Sequence, residues 1–152
     1  MKKNLIFWFV LLAYLMAPTR TFAYDVEIDG IYYNLDRNAK TAEVTYKDTT
    51  YGTYSGTVII PSSITCEGGV YEVKSIGMAG FFDCMITSIT LPNSITTIGQ
   101  QAFEGCINLS SISIPNSVSS IGLHAFSNSG LTSITIPKSV ISISGNPFIR
   151  CI

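Results

Sequence analysis

His124 is the single histidine of the 152-residue chain, so a Ser-His-Asp or Cys-His nucleophile would have to use it. Its neighbourhood, Gly122-Leu123-His124-Ala125-Phe126, supplies no nucleophile, and an exposed turn residue is the simpler role. Cys84, Cys106 and Cys151 each lie three residues after a phenylalanine, while Cys66 stands apart. Four cysteines in an exported chain could form disulfides. Equivalent side chains in a parallel stack point the same way, however, and Ser129 interrupts the series, so a column of small buried thiols is the better reading. No C-x-x-C pair or Cys/His cluster supports zinc. Asp25-x-Glu27-x-Asp29-Gly30, with Asp36 in the twelfth place, has the spacing of a calcium loop. Val26, Ile28, Tyr32 and Tyr33 between those acids read as strand, and a hairpin accounts for them better. The chain thus offers no catalytic residues, metal ligands or cofactor site, and no enzyme activity is expected.

Two other groups could bind a partner. All seven tyrosines after residue 23 fall between residues 24 and 71. Tyr32 and Tyr33 are adjacent on a strand, so one of them is expected outside, and Tyr51 and Tyr54 sit on a Gly-containing loop. Exposed tyrosine is a favoured contact for proteins and sugars. The second group is a set of hydroxyls: Thr87, Ser88 and Thr90, then Ser110, Ser111 and Ser113, then Thr132, Ser133 and Thr135. A flat ladder of this kind can hydrogen-bond a partner, or can simply be solvated strand surface.

What must position these residues is a repeat. Residues 88–99 read SITLPNSITTIG, 111–122 read SISIPNSVSSIG, and 133–144 read SITIPKSVISIS. Pro92, Pro115 and Pro137 set a period of 23 and then 22 residues. Units this short cannot bury their apolar face alone and must stack as a solenoid. Each unit opens with a short strand (Leu109, Ile112 and Ile114; Leu131, Ile134 and Ile136) that a proline ends. A second extended piece carries Val118 and Ile121, or Val140 and Ile143. A compact half-helical turn with Phe81, Phe103, Phe126 or Phe148 at one fixed place completes the unit, and those rings are expected to stack.

About four units fit residues 57–152. The first holds an insertion at 66–74, centred on Glu67-Gly68-Gly69 and read as a small hairpin. The last stops at the same point in the unit as 103–107, so a longer parent chain or a second copy is expected over that end. Residues 24–56 lack the repeat and alternate like antiparallel strands around Asp29-Gly30, as an N-terminal cap would.

Residues 1–23 have Lys2 and Lys3, an apolar run of 13 at 5–17, and Thr21-Phe22-Ala23, the marks of a secretory signal peptide too short to span a bilayer. After its removal no transmembrane segment is expected. The remaining chain has six basic and ten acidic side chains, a formal charge of −4 that argues against nucleic acid. Twelve of those sixteen charges lie in residues 24–74, leaving the repeats to Ser, Thr and Asn for solubility.

The repeats resemble the BspA-type leucine-rich repeat family of secreted and surface proteins of anaerobic gut and oral bacteria, whose pattern is roughly L-x-S-I-x-I-P-x-S-V-x-x-I-G-x-x-A-F-x-x-C. Residues 86–106 and 109–129 match it at most positions, with Ile86 for the first Leu and Ser129 for the Cys. The resemblance implies a leucine-rich-repeat solenoid of the α/β repeat class, strand-rich with short helical turns, behind an antiparallel β cap. It also implies placement at the cell surface or outside the cell. The function expected from it is an adhesion or binding module for a protein partner such as host matrix or another cell-surface protein. The alternative is a carbohydrate-binding surface protein that uses cap tyrosines. Candidate contacts are Tyr32, Tyr51, Tyr54, Thr87, Ser88, Thr90, Ser111, Ser113, Ser133 and Thr135.

Overall fold

The computed structural model describes residues 24–49 and 51–151, so the leader expected over 1–23 lies outside the described residues. β1 (Val26–Ile28) and β2 (Ile31–Asp36) form a hairpin through Asp29 and Gly30. Both turn residues have positive φ, 51° and 77°, which gives the turn the twist that hairpin strands need. β3 (Thr41–Thr45) follows antiparallel to β2. The acids at 25–29 are therefore spent on a strand and its turn. Asp25 accepts a hydrogen bond from the Leu35 N–H at 2.7 Å rather than converging with the others.

β4 (Ser55–Ile59) opens the repeats. β5 (Ser63–Cys66) and β6 (Gly69–Ile76) are joined by Glu67-Gly68, again with two positive φ values, 51° and 70°. Arg37 donates two bonds to the Glu67 carboxylate, at 2.8 and 2.9 Å, and so ties the β2–β3 turn to this hairpin. That pairing holds the Glu67 carboxyl below its ordinary range. β7 (Met85–Thr90) follows, then three two-residue strands, β8 (Thr97–Ile98), β9 (Ser120–Ile121) and β10 (Ser142–Ile143).

These make two sheets. The larger runs β1-β2-β3-β6-β8-β9-β10, with β5 also on β6; the smaller is β4-β7. From β3 onward the larger sheet is parallel along that path, each strand one coil on from the last. Through the β3–β6 pair the first strands and the repeats share one sheet.

Ile76, Ile98 and Ile121 from the larger sheet meet Ile86, Leu109 and Val118 in a fully buried core. The phenylalanines stack as expected. Centroids of Phe81, Phe103, Phe126 and Phe148 follow at 5.2, 5.4 and 5.5 Å, with planes within 9° of parallel. Tyr54, 4.7 Å from Phe81, closes the column at the cap. The thiol column is present too. Cys106 donates to the Phe81 carbonyl at 3.0 Å and Cys151 to that of Phe126 at 3.2 Å, while buried Ser129 stands between them in the series. Cys66, Cys84, Cys106 and Cys151 are all free thiols.

Two expectations fail. No helix forms among the described residues, and the phenylalanine segments are runs of tight turns. The N–H groups of Ala79, Phe81 and Asp83 donate to the next coil, at Gln100, Ala102 and Glu104, while those of Gly80, Phe82 and Cys84 donate three residues back. With every second donor committed between coils, a helical ladder cannot close. Positive φ at Ala79 and Asp83, repeated at Gln101 and Gly105, then His124 and Asn128, breaks it further. The second failure concerns the strand expected at 109–114 and 131–136. These stretches form no ladder with β7 or with each other, and a single long bond, from the Thr132 N–H to the Ser110 carbonyl at 3.4 Å, joins them. The coils are pinned through the larger sheet and the turns, while along this third side the ladder stops after β4–β7.

Candidate binding face

β4 and β7 pair in parallel with one shift of register: Gly56 faces Ile86, but Thr57 faces Ser88. Thr87 is the extra residue, so Thr87 and Ser88 both point outward. Ile89 and Leu91 then point in and Thr90 out. The same rhythm recurs in the next coils. Ser110, Ser111 and Ser113, then Thr132, Ser133 and Thr135, are all exposed around inward Ile112, Ile114 and Leu131.

The result is a face of aligned hydroxyls. One row is Thr57, Ser88, Ser111 and Ser133; its neighbour is Ile59, Thr90, Ser113 and Thr135. Between the third and fourth coils the missing ladder leaves a shallow groove of about 450 Å³, edged by Ser111, Ser113, Asn116, Ser133, Thr135 and Pro137. No charged side chain stands in either row. Such a surface can exchange hydrogen bonds through hydroxyls, and through backbone groups where the coils part.

Ile59 was legible as part of this face and was missed. It holds the place of Thr90 in the degenerate first copy, Val58-Ile59-Ile60-Pro61, and is 67% exposed. A large apolar side chain among hydroxyls is the kind of anchor that the face otherwise lacks.

The tyrosines divide differently from expectation. Tyr32 and Tyr33 are both buried. Their strand lies inside the sheet, between β1 and β3, and Tyr24 and Tyr54 cover the Tyr32 ring at centroid distances of 4.6 and 6.0 Å. Tyr54 does stand on the loop before β4, but it is buried as well, which corrects its expected availability as a contact. Its hydroxyl accepts from the Tyr32 N–H at 3.1 Å and donates to the Thr45 carbonyl at 2.6 Å. Tyr32 and Thr45 are register partners, so the hydroxyl splices into the end of the β2–β3 ladder. Burial pushes the Tyr54 hydroxyl well above its ordinary pKa. Tyr32 and Tyr54 are therefore structural and offer no ring to a partner.

Tyr51 does stand outside, 51% exposed. It sits among half-buried rings, with Tyr46 at 5.4 Å and Phe82 at 4.8 Å, beside the first phenylalanine turn rather than on the hydroxyl face. Phe82 is a second aromatic that the repeat alignment did not single out.

His124 lies on a turn with its Nδ1 3.2 Å from the Ser127 hydroxyl. Ser127 is buried and donates to the Asn146 carbonyl at 3.4 Å, so the contact closes a turn rather than presenting a nucleophile. Among the described residues no helix is long and apolar enough to cross a membrane.

Comparison with known proteins places this geometry in a family. Residues 52–152 match the BspA type Leucine rich repeat region in six copies, where the proline spacing counts about four units. A leucine-rich repeat protein of known structure from Bacteroides capillosus is 32% identical with a TM-score of 0.68, over 81% of this chain and 93% of that one. A second, from Bacteroides ovatus, is 31% identical with a TM-score of 0.59, over 82% of this chain and 38% of that one. This chain thus spans well under half of that longer relative. The leucine-rich repeat protein of T. pallidum shares the fold, at 21% identity and a TM-score of 0.60. No curated protein matches. The chain belongs to the BspA-type leucine-rich repeat family.

Proposed function

We propose that the protein is an exported binding module, a leucine-rich-repeat solenoid behind an N-terminal β cap. It would hold a protein partner, such as host matrix or another cell-surface protein, on its hydroxyl face and would have no catalytic activity. In this reading residues 1–23 direct export, 24–56 cap the stack, and 57–152 present the surface at the cell surface or outside the cell. The observation that carries it is the pair of exposed rows, Thr57-Ser88-Ser111-Ser133 and Ile59-Thr90-Ser113-Thr135, beside a stretch where the coils part. Family membership supports it, since leucine-rich repeats generally serve as interaction surfaces.

A second reading, glycan binding, is favoured by one feature: exposed Tyr51 between Tyr46 and Phe82, an aromatic platform on which a sugar ring could stack. The two sites are separate, so substitution tells them apart. Immobilised matrix proteins and a glycan array would be probed with the wild-type chain, a Ser113→Arg/Thr135→Arg double variant, and Tyr51→Ala. Loss of a protein ligand in the double variant alone supports the hydroxyl face. Loss of a glycan in Tyr51→Ala alone makes the aromatic platform the site.

A further inference from the structure

The first coil has an open strand edge. In the parallel β4–β7 pair alternate residues face the partner: Tyr54 accepts from the Met85 N–H, and Ile60 donates to the Thr90 carbonyl. The N–H and C=O groups of Ser55, Thr57 and Ile59 accordingly point the other way. No described strand pairs with them there, for among the described residues β4 pairs with β7 alone. What faces that edge is the tip of the β1–β2 hairpin, held off so that a groove of about 390 Å³ remains. Ile28, Ile31, Val58 and Ile59 make its walls apolar, and the Asp29 carboxylate stands at the turn with no lysine or arginine along the lining. Tyr33 also lines the groove, and its hydroxyl is buried without a hydrogen-bond partner among the described residues.

We propose that this groove takes an extended peptide segment of a partner, added as a strand to the free edge of β4, with a basic side chain directed to Asp29. Three observations choose that occupant. Unpaired ladder groups on one strand are answered best by another extended backbone. Apolar walls suit the alternate side chains that such a strand turns toward them. A lone carboxylate without a cation selects a lysine or arginine on the incoming chain. The groove shares Thr57 and Ile59 with the hydroxyl face, but it uses the backbone edge of β4, whereas Ser113 and Thr135 in the later coils belong to the hydroxyl face alone. One can therefore fail without the other.

The test uses the full chain, labelled for amide detection, and a blocked Val-Lys-Val-Lys-Val peptide as the probe. The expected result is slowed hydrogen exchange at the Ser55, Thr57 and Ile59 amides, and a shift of the Tyr33 ring signals, at up to ~1 mM peptide. A peptide N-methylated at alternate residues should lose that effect, because it cannot complete the ladder. Asp29→Asn should weaken binding several-fold while leaving the fold intact, since asparagine tolerates the positive φ of 51° at this position. Ser113→Arg/Thr135→Arg should change nothing here. Unprotected amides, equal binding by the methylated peptide, indifference to Asp29→Asn, or loss in the Ser113/Thr135 double variant would each overturn the proposal.

Discussion

At the scale of single residues, position in the stack decides what a side chain contributes. Phe103 and Phe126 are fully buried between rings on both sides, whereas Phe148 has Phe126 on one side and is half-buried. Phe126→Ala should cost about 3–5 kcal/mol and Phe148→Ala no more than about 1–2 kcal/mol in urea unfolding. Equal losses would mean that the last ring is as enclosed as the others. Burial also makes the protein sensitive to alkali. It pushes the Cys106 thiol from near 9 up to about 12, with nearby Cys84 adding to the shift. Burial, and then Asp29, pushes the Tyr33 hydroxyl from 10 up to about 12. In both cases the unfolded chain ionises first, so the stabilisation is complete below the unfolded pKa and is lost as pH rises through the folded one. Stability should hold from neutral pH to about 9, then fall by ~1.4 kcal/mol per pH unit from Cys106 alone, and more steeply above 10 as Tyr33 joins. Denaturation midpoints at pH 7.5, 9.5 and 10.5 would show it; a flat profile would mean that these groups are open to water when folded.

At the scale of the element, the parallel sheet depends on how closely the coils approach. Gly122 donates its N–H to the Ile98 carbonyl at 2.8 Å, and Gly99 does the same to that of Ile76. A Cβ at 122 would sit 2.5 Å from the Gln100 nitrogen, and one at 99 would sit 2.8 Å from the Gly77 carbonyl carbon. These glycines are there for space against a backbone that cannot give way. Gly122→Ala should cost about 1–3 kcal/mol and loosen the coil contact, read as faster exchange of the residue 122 amide. Ser120→Ala, two residues earlier in β9, should stay within ~0.5 kcal/mol. If the two variants behaved alike, the coils would be sliding freely and the close approach would carry no load.

At the scale of the whole molecule, charge and the hydroxyl face are segregated. Ion pairs such as Arg37–Glu67 lie at the cap and first hairpin, away from the uncharged rows of the hydroxyl face. A partner held on that face has few charges to be screened. Its affinity should change by less than ~3-fold between roughly 50 and 500 mM salt, measured by surface-immobilised binding. A steep loss over that range would place the contact on the cap instead. The proposed export makes a separate prediction: N-terminal sequencing of secreted protein should read Tyr-Asp-Val-Glu, and an intact Met1 would refute cleavage after Ala23.

Much of this was legible from the chain. The 22–23-residue period, the ring column, the thiol column and the two hairpin turns follow from residue type and spacing, because local chain geometry and the need to bury apolar side chains leave little choice. The outward hydroxyls follow from the x positions of the L-x-x-I-x-I pattern, although the adjacent outward pair Thr87 and Ser88 is accommodated by a bulge. Four matters were settled only in three dimensions. The turns are not helical, because their amides are shared with the next coil, a competition that no single repeat reveals. The continuous sheet forms on the second extended piece, because that is where glycines let the backbones close. Tyr32 and Tyr54 are buried, because alternation along a strand says which side a ring takes but not whether another ring covers that side. The open edge of β4 belongs here as well: a strand is recognisable from its own residues, but an unpaired edge is defined by what the rest of the chain leaves uncovered.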